Sequence, residues 1–406
     1  MALMKVLVAD KLDPAALDEM RTLGVELSYQ PELGADALPA AVKDVNVLIV
    51  RGTPVRAACM KAGVMLNLII RAGAGVKSID VKTASERGIY VADCPGKNAT
   101  GGAELTMTLI GCLDRRGPDA VDSLRAGKWE KQEFAKAKGL CGRRLGIIGL
   151  GHVGRAVARL GLAYGMDVHA TSRSLVPARA AELGVGWAPN VLELAKRSDI
   201  LCVHLELTER TRGVISREVI SALPNGAILV NTADAGLMDW PALVELAPMK
   251  DLRVGLDVLP NEPDTRVADY DNAILHAGLV YATPHIGAST DEAQIAIAAE
   301  TVRILRSFMV KGDVPNVVNI AANTRGRYIL VVRFLDKVGA LANVLGVLKR
   351  HAINIQELEN SVFEGGRAGC AKIRTDTRPS EACLTEMMAF SDEVLHVNLV
   401  TLPNLA

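Results

Sequence analysis

Six residues, Gly149-Leu150-Gly151-His152-Val153-Gly154, directly follow the apolar run Leu145–Ile148 and open a helical stretch from Arg155 to Tyr164. In a strand–loop–helix of this kind the first two glycines let the backbone turn and approach a ligand. The third allows the helix to pack against the strand, and the unpaired N–H groups of the first helical turn face the loop. This spacing predicts a parallel α/β sheet that holds the pyrophosphate of a dinucleotide.

Strand candidates continue at Val168–Thr171, Ile200–His204, Ile228–Asn231, Val254–Val258 and Val280–Thr283. An earlier series (Val6–Ala9, Val47–Val50, Leu68–Arg71, Ile89–Val91) alternates with helical stretches at Pro14–Thr22 and Ile79–Arg87. Two such series predict two doubly wound parallel-sheet domains, Rossmann- and flavodoxin-like. The apolar helix Ala103–Leu113 lies between them, and Asp291–Met309 follows the second. We read these helices as crossings that insert one domain in the other: residues 1–101 with 287–321, and 102–286. Gly101-Gly102 is unusually flexible for a segment entering a helix. After the polar stretch Ala322-Asn323-Thr324-Arg325-Gly326 the pattern restarts as βαββαβ over 326–406, with strands at Tyr328–Val332, Ile353–Val362, Ala368–Ile373 and Val394–Leu402 and helices at Ala340–Lys349 and Ser380–Phe390.

Lys plus Arg and Asp plus Glu each number 46, so net charge calls for neither nucleic acid nor an anionic membrane. The seven cysteines form no C-x-x-C pair, which argues against disulfide frameworks or metal sites and fits a reducing cytoplasm. No apolar run reaches membrane-spanning length and no export signal is read, so the expected partner is a small molecule.

An acidic residue that would accept ribose hydroxyls about 20 residues past the glycines is absent. Ser172-Arg173-Ser174 stands there instead. Arg173 with Ser172 can accept a 2′-phosphate, so NADP(H) is favoured over NAD(H); the alternative leaves Arg173 as a solvated surface cation. Asp257-Val258-Leu259-Pro260-Asn261-Glu262-Pro263 and Thr283-Pro284-His285-Ile286-Gly287-Ala288-Ser289 both follow strand candidates, where α/β sheets place their ligands. Carbonyl reduction needs a proton donor as hydride arrives; His285 suits that role, with Glu262 to fix its tautomer.

Together with Arg71-Ala72-Gly73-Ala74-Gly75-Val76, Cys94-Pro95-Gly96-Lys97-Asn98, Ala103-Glu104-Leu105 and Val203-His204, these motifs resemble the D-2-hydroxyacid dehydrogenase family over nearly all of residues 1–320. The resemblance implies hydride transfer between substrate C2 and nicotinamide C4, with His285 as acid/base and Glu262 as its partner. It implies that N–H groups near Ala74 and Gly75 grip the substrate carboxylate beside Asn98. His204, Thr232, Ala233, Gly287 and Ala288 would line the cofactor, with Asp257 and the Thr232–Asp234 stretch facing its nicotinamide end. Members acting on 3-phosphoglycerate, which feed serine biosynthesis, gather cations around the phosphate; here these would be Arg51, Arg71 and Lys131. Otherwise Arg51 and Arg71 are ordinary strand-end cations. The C-terminal unit resembles an ACT domain, a ferredoxin-like fold, and implies an amino-acid effector near Asp336, Gly339 and Asn354. Asp336 and Phe334 stand where serine-sensitive members often carry Asn and His.

The family's catalytic Arg lies in N-x-x-R-G, but the matching segment, Asn231-Thr232-Ala233-Asp234-Ala235-Gly236, places Asp234 there. Lys77 stands where relatives carry Asp or Asn. It either restores the missing positive charge, pairs with Asp234, or is a surface cation. Three functions follow: phosphoglycerate oxidation, NADPH-dependent glyoxylate or hydroxypyruvate reduction, and a weakened cofactor- and amino-acid-binding sensor or partner subunit. A homodimer or tetramer is expected.

Overall fold

The computed structural model describes residues 3–263, 267–321 and 326–401. Linker residues Ala322, Asn323, Thr324 and Arg325 and the predicted strand end Leu402 lie outside the described residues. The chain divides into two compact units, Met1–Asn319 and Ile320–Ala406.

The first unit holds two parallel sheets. In the first, the order is Glu26–Tyr29, Lys5–Val8, Val47–Val50, Leu68–Arg71, Tyr90–Ala92. This is a flavodoxin-like 2-1-3-4-5 arrangement. In the second, Gly186–Trp187, Asp167–Thr171 and Arg144–Ile148 run one way from the centre, and Ile200–Val203, Ile228–Asn231, Arg253–Leu256 and Leu279–Ala282 the other. That Rossmann order reverses between Arg144–Ile148 and Ile200–Val203. Val47–Val50, Ile200–Val203 and Ile228–Asn231 are buried at every residue, as strands covered on both faces must be.

Two long helices link the sheets. Ala99–Arg115 buries Ala103, Met107, Ile110 and Leu113 in the core of the second sheet. Asp291–Lys311, which follows that sheet, buries Ile297, Ala298, Val302 and Leu305 in the core of the first. The Gly101-Gly102 pair is part of the crossing helix rather than a flexible approach to it. A Cβ on Gly101 would lie 2.8 Å from the Gly287 carbonyl oxygen, so close packing rather than flexibility accounts for glycine there. Two strands had no signal in the sequence: Glu26–Tyr29 is an edge strand with no fully buried residue, and Gly186–Trp187 has two residues.

Glu300, on the second long helix, ties the loops where the chain passes between sheets. Its carboxylate accepts from Arg303 (2.6 and 3.0 Å) and from the Asn316 amide (2.7 Å), and Lys97 lies 3.4 Å away. These partners, Arg303 foremost, hold its pKa down at about 2 against the opposing effect of burial. A depressed carboxylate stabilises the fold above its unfolded pKa of 4.5 and loses that contribution as pH falls towards 2. Glu300→Gln is expected to cost about 3 kcal/mol at pH 7 and to flatten the acid limb of the stability curve between those pH values, measured by urea unfolding.

The second unit is one antiparallel sheet in the order Ile355–Val362, Ala368–Thr375, Tyr328–Leu335, Val394–Thr401. With the helices Ala340–Arg350 and Glu381–Met388 it makes a ferredoxin-like βαββαβ fold whose core holds Leu330, Val332, Val344, Leu348 and Ile373.

Candidate functional site

The glycine loop lies at the point where strand order reverses in the second sheet. Gly149 has φ +92°, and a Cβ there would come 2.5 Å from the carbonyl oxygen of His204. A Cβ on Gly154 would sit 1.9 Å from the Gly149 carbonyl oxygen, whereas nothing lies within 4 Å of the position a Gly151 Cβ would take. The 12-residue helix His152–Ala163 starts at Gly151 with no side-chain cap, so its first N–H groups are available to an anion. His204, just after the neighbouring strand, adjoins this turn through its backbone. Its ring is buried, neither nitrogen has a hydrogen-bond partner, and burial pushes its pKa down to about 4, leaving it neutral. A cradle open at Gly151 beside an unpartnered imidazole fits a dinucleotide.

Thr232 and Ala233 follow the next strand. The Thr232 hydroxyl hydrogen-bonds the Thr106 hydroxyl (2.9 Å), and Ala233 N–H donates to the Asn231 side chain (3.0 Å). Ser172 and Arg173 follow Asp167–Thr171 on the other side; Arg173 is exposed and makes no ion pair among the described residues.

His285 has φ +54°, and its Nδ1–H donates to Glu262 at 2.7 Å. The other Glu262 oxygen accepts from Leu259 N–H (2.8 Å), which fixes the carboxylate, and Nε2 is left for a ligand. Asp257, expected at the nicotinamide end, holds the loop that carries His285. It is buried and accepts from the Thr283 hydroxyl (2.6 Å) and from Ile286 and Gly287 N–H (2.8 Å each). The Ala288 carbonyl accepts from the Gln294 amide (2.9 Å).

Facing these loops is the substrate-loop region of the first sheet. Gly75 N–H is not free for a substrate carboxylate, because it donates to Asp93 at 2.6 Å; Ala74 N–H has no acceptor among the described residues. Burial pushes the Asp93 pKa up and the Arg71 pKa down. Arg71 donates through Nε and one Nη to the carbonyls of Arg51 (3.0 Å) and Ala74. The Arg51 guanidinium makes no ion pair among the described residues, and its turn is held by Asp10, which accepts from Arg51, Gly52 and Thr53 N–H. Asn98 precedes the crossing helix without capping it.

Arg51 and Arg71 therefore lie together, and within one chain Lys131 stands apart from them. Its neighbour Glu133 pairs with Arg116 (2.6 Å), past the far end of the 17-residue crossing helix, about 25 Å from that helix's start. Lys77 lies in the substrate loop and forms a salt bridge with Asp234. The second Asp234 oxygen accepts from Gly236 N–H (2.8 Å).

Asp10 and Asp93 were absent from the residues singled out by motif. Their signal was position: each is an acid within two residues of the C-terminal end of a parallel strand. In the second unit Asp336, Gly339 and Asn354 are exposed. Gly339 (φ +95°) starts the helix Ala340–Arg350, Asp336 N–H donates to the Arg367 carbonyl, and Phe334 is buried. Among the described residues no helix is long and apolar enough to cross a membrane.

The fold and the loop cluster define a nicotinamide-dinucleotide-binding protein. Residues 107–287 match the family described as D-isomer specific 2-hydroxyacid dehydrogenase, NAD binding domain. The hydroxypyruvate reductase of Thermotoga maritima is 41% identical over 306 residues, 74% of this chain and 97% of the relative. The D-3-phosphoglycerate dehydrogenase of Methanocaldococcus jannaschii is 36% identical over 345 residues, 83% of this chain; the chain spans only 64% of that relative's length. A solved NADPH-dependent glyoxylate/hydroxypyruvate reductase from Sinorhizobium meliloti, in complex with NADP and malonate, superposes with a TM-score of 0.67 at 26% identity over 78% of this chain and 97% of that one. Another neighbouring structure is described with NAD+ bound. The chain belongs to the D-isomer-specific 2-hydroxyacid dehydrogenase family.

Proposed function

We propose that the chain interconverts a D-2-hydroxy acid and its 2-oxo acid, with D-3-phosphoglycerate and 3-phosphohydroxypyruvate as the leading pair. The observation that carries this is the His285–Glu262 hydrogen bond, which commits Nδ1 and leaves Nε2 for the substrate oxygen. A bound nicotinamide dinucleotide would exchange hydride with substrate C2. His285 then gives or takes the proton on the C2 oxygen, Glu262 and Asp257 position its loop, and Arg51 with Ala74 N–H holds the substrate's anionic groups. On this reading residues 1–101 and 287–321 bind substrate and 102–286 bind cofactor.

Turnover of D-3-phosphoglycerate, and of hydroxypyruvate in reverse, with each cofactor tests it. Hydroxypyruvate reduction is the second reading, supported by the likeness to the hydroxypyruvate reductase of Thermotoga maritima. Asp234 supports the third, a weakened sensor, which an inactive chain that still binds cofactor would favour.

The unpaired Arg173 supports NADP(H) over NAD(H). Arg173→Ala is expected to reduce the NADP/NAD preference about 10- to 100-fold, the effect of one charge-assisted contact to a 2′-phosphate, read from kcat/KM for both cofactors. The ferredoxin-like second unit, residues 326–406, supports an ACT-type amino-acid effector site, tested by calorimetry with serine, and a homodimer or tetramer, tested by light scattering.

A further inference from the structure

We propose that the Lys77–Asp234 pair adapts this cleft to 2-imino acids, so that the chain also reduces the C=N bond of an iminium acid to an amino acid. The inference rests on the hydride-transfer reading of the cleft given above.

The groups facing the cleft can be accounted for one by one. Arg71 gives two of its five N–H groups to the carbonyls of Arg51 and Ala74, and Gly75 N–H is taken by Asp93. Asp257 is buried against the His285 loop. Beside the Arg51 guanidinium and Ala74 N–H, unpaired among the described residues, the substrate loop meets the loop after Ile228–Asn231 in an ammonium touching a carboxylate, Lys77 with Asp234. The carboxylate is the fixed member. One oxygen accepts from Gly236 N–H, the Asn231 amide donates to the Asp234 carbonyl (2.8 Å), and Trp240 Nε1–H donates to the next carbonyl, that of Ala235 (2.9 Å). The Lys77 side chain is 67% exposed and that of Asp234 18%, so the ammonium can swing and the carboxylate cannot.

A 2-oxo acid offers this pair only negative charge. As its carbonyl is reduced, alkoxide character grows on the C2 oxygen, and a fixed carboxylate nearby opposes it. An iminium acid carries a carboxylate on C1 and a cationic nitrogen on C2, which matches a lysine and an aspartate side by side. Lys77 takes the substrate carboxylate and Asp234 pairs with the nitrogen, so one ion pair becomes two. A carboxylate beside the imine also favours its protonated form, the better hydride acceptor.

The reaction balances. A 2-oxo acid condenses with ammonia or a primary amine, losing water, and the imine takes a proton to become the iminium. C2 then accepts a hydride from the reduced dinucleotide, which leaves oxidised; the C=N π pair becomes the nitrogen lone pair, and His285 protonates it to the ammonium.

The test uses the full chain with NADPH and pyruvate, with and without ammonium or methylammonium, and quantifies alanine or N-methylalanine against lactate by mass spectrometry. Amine product in at least 10-fold excess over lactate at saturating amine is expected, and Asp234→Asn should shift the ratio at least 10-fold towards lactate. Calorimetry in the presence of NADP+ supplies a readout independent of turnover: D-alanine should bind at least 10-fold tighter than D-lactate. Hydroxy acid formed without amine product would overturn the inference and leave the dehydrogenase reading standing. Neither product, with D-alanine binding no tighter than D-lactate, would overturn both.

Discussion

His285→Asn is expected to lower kcat/KM for the oxo-acid/hydroxy-acid reaction by about 10³-fold while the protein stays folded. General acid–base catalysis by a positioned side chain contributes about 10² to 10⁴-fold, and Nε2 of His285 is the group placed to supply it. Asparagine is the informative replacement because position 285 is left-handed, at φ +54°, a conformation that Asn tolerates and that alanine or a β-branched residue resists. The amide can accept no proton at neutral pH, so lost activity reports lost chemistry and not a collapsed loop. The loop itself is held by Asp257 through Thr283, Ile286 and Gly287, none of which the substitution touches. Glu262→Gln should cost less, about 10-fold: the single amide oxygen of glutamine can still accept from Nδ1 and keep the tautomer, while its NH2 then faces Leu259 N–H and that contact is lost. Steady-state kinetics beside thermal unfolding distinguish these outcomes; a His285→Asn variant within 10-fold of the parent would remove His285 from the mechanism.

The same residues show what a sequence can and cannot carry. The glycine loop and the apolar strand runs were legible because their spacing reflects local geometry: a turn, a close approach, a strand buried on both faces. The His285–Glu262 pair was legible because each residue follows a strand end in a recognisable motif. The destinations of hydrogen bonds were not. Asp257, expected to face the cofactor, also staples the His285 loop, and the Gly75 N–H, expected to grip substrate, is taken by Asp93. Both depend on contacts between loops distant in sequence. The placement of Lys131 was not legible for a related reason: within one chain a 17-residue helix separates it from Arg51 and Arg71. Glu26–Tyr29 had no signal because an edge strand that buries little needs no apolar run.

Gly154→Ala should be among the most damaging single-methyl changes in the chain, weakening dinucleotide binding by about 10²-fold or more and destabilising the first unit by about 1 to 3 kcal/mol, the range for overpacking. The new Cβ would lie 1.9 Å from the Gly149 carbonyl oxygen, a backbone atom that cannot rotate away. Relief therefore requires the helix His152–Ala163 to move off the sheet or the Gly149 turn to open. The Gly149 turn has little room to yield, since a Cβ built on it would already lie 2.5 Å from the carbonyl oxygen of His204. Either movement displaces the N–H groups that the loop presents. Gly151→Ala is the matched control. Its φ of −70° suits alanine and no protein atom lies within 4 Å of the added Cβ, so thermal stability should stay at the parent's value. If a pyrophosphate lies across the open side of the loop, that same methyl group stands in its path, and Gly151→Ala should lose cofactor affinity without losing stability. Fluorescence titration with NADPH and NADH, read beside thermal unfolding of both variants, separates packing from ligand approach. Parent-like binding in Gly151→Ala would place the pyrophosphate elsewhere on the sheet edge.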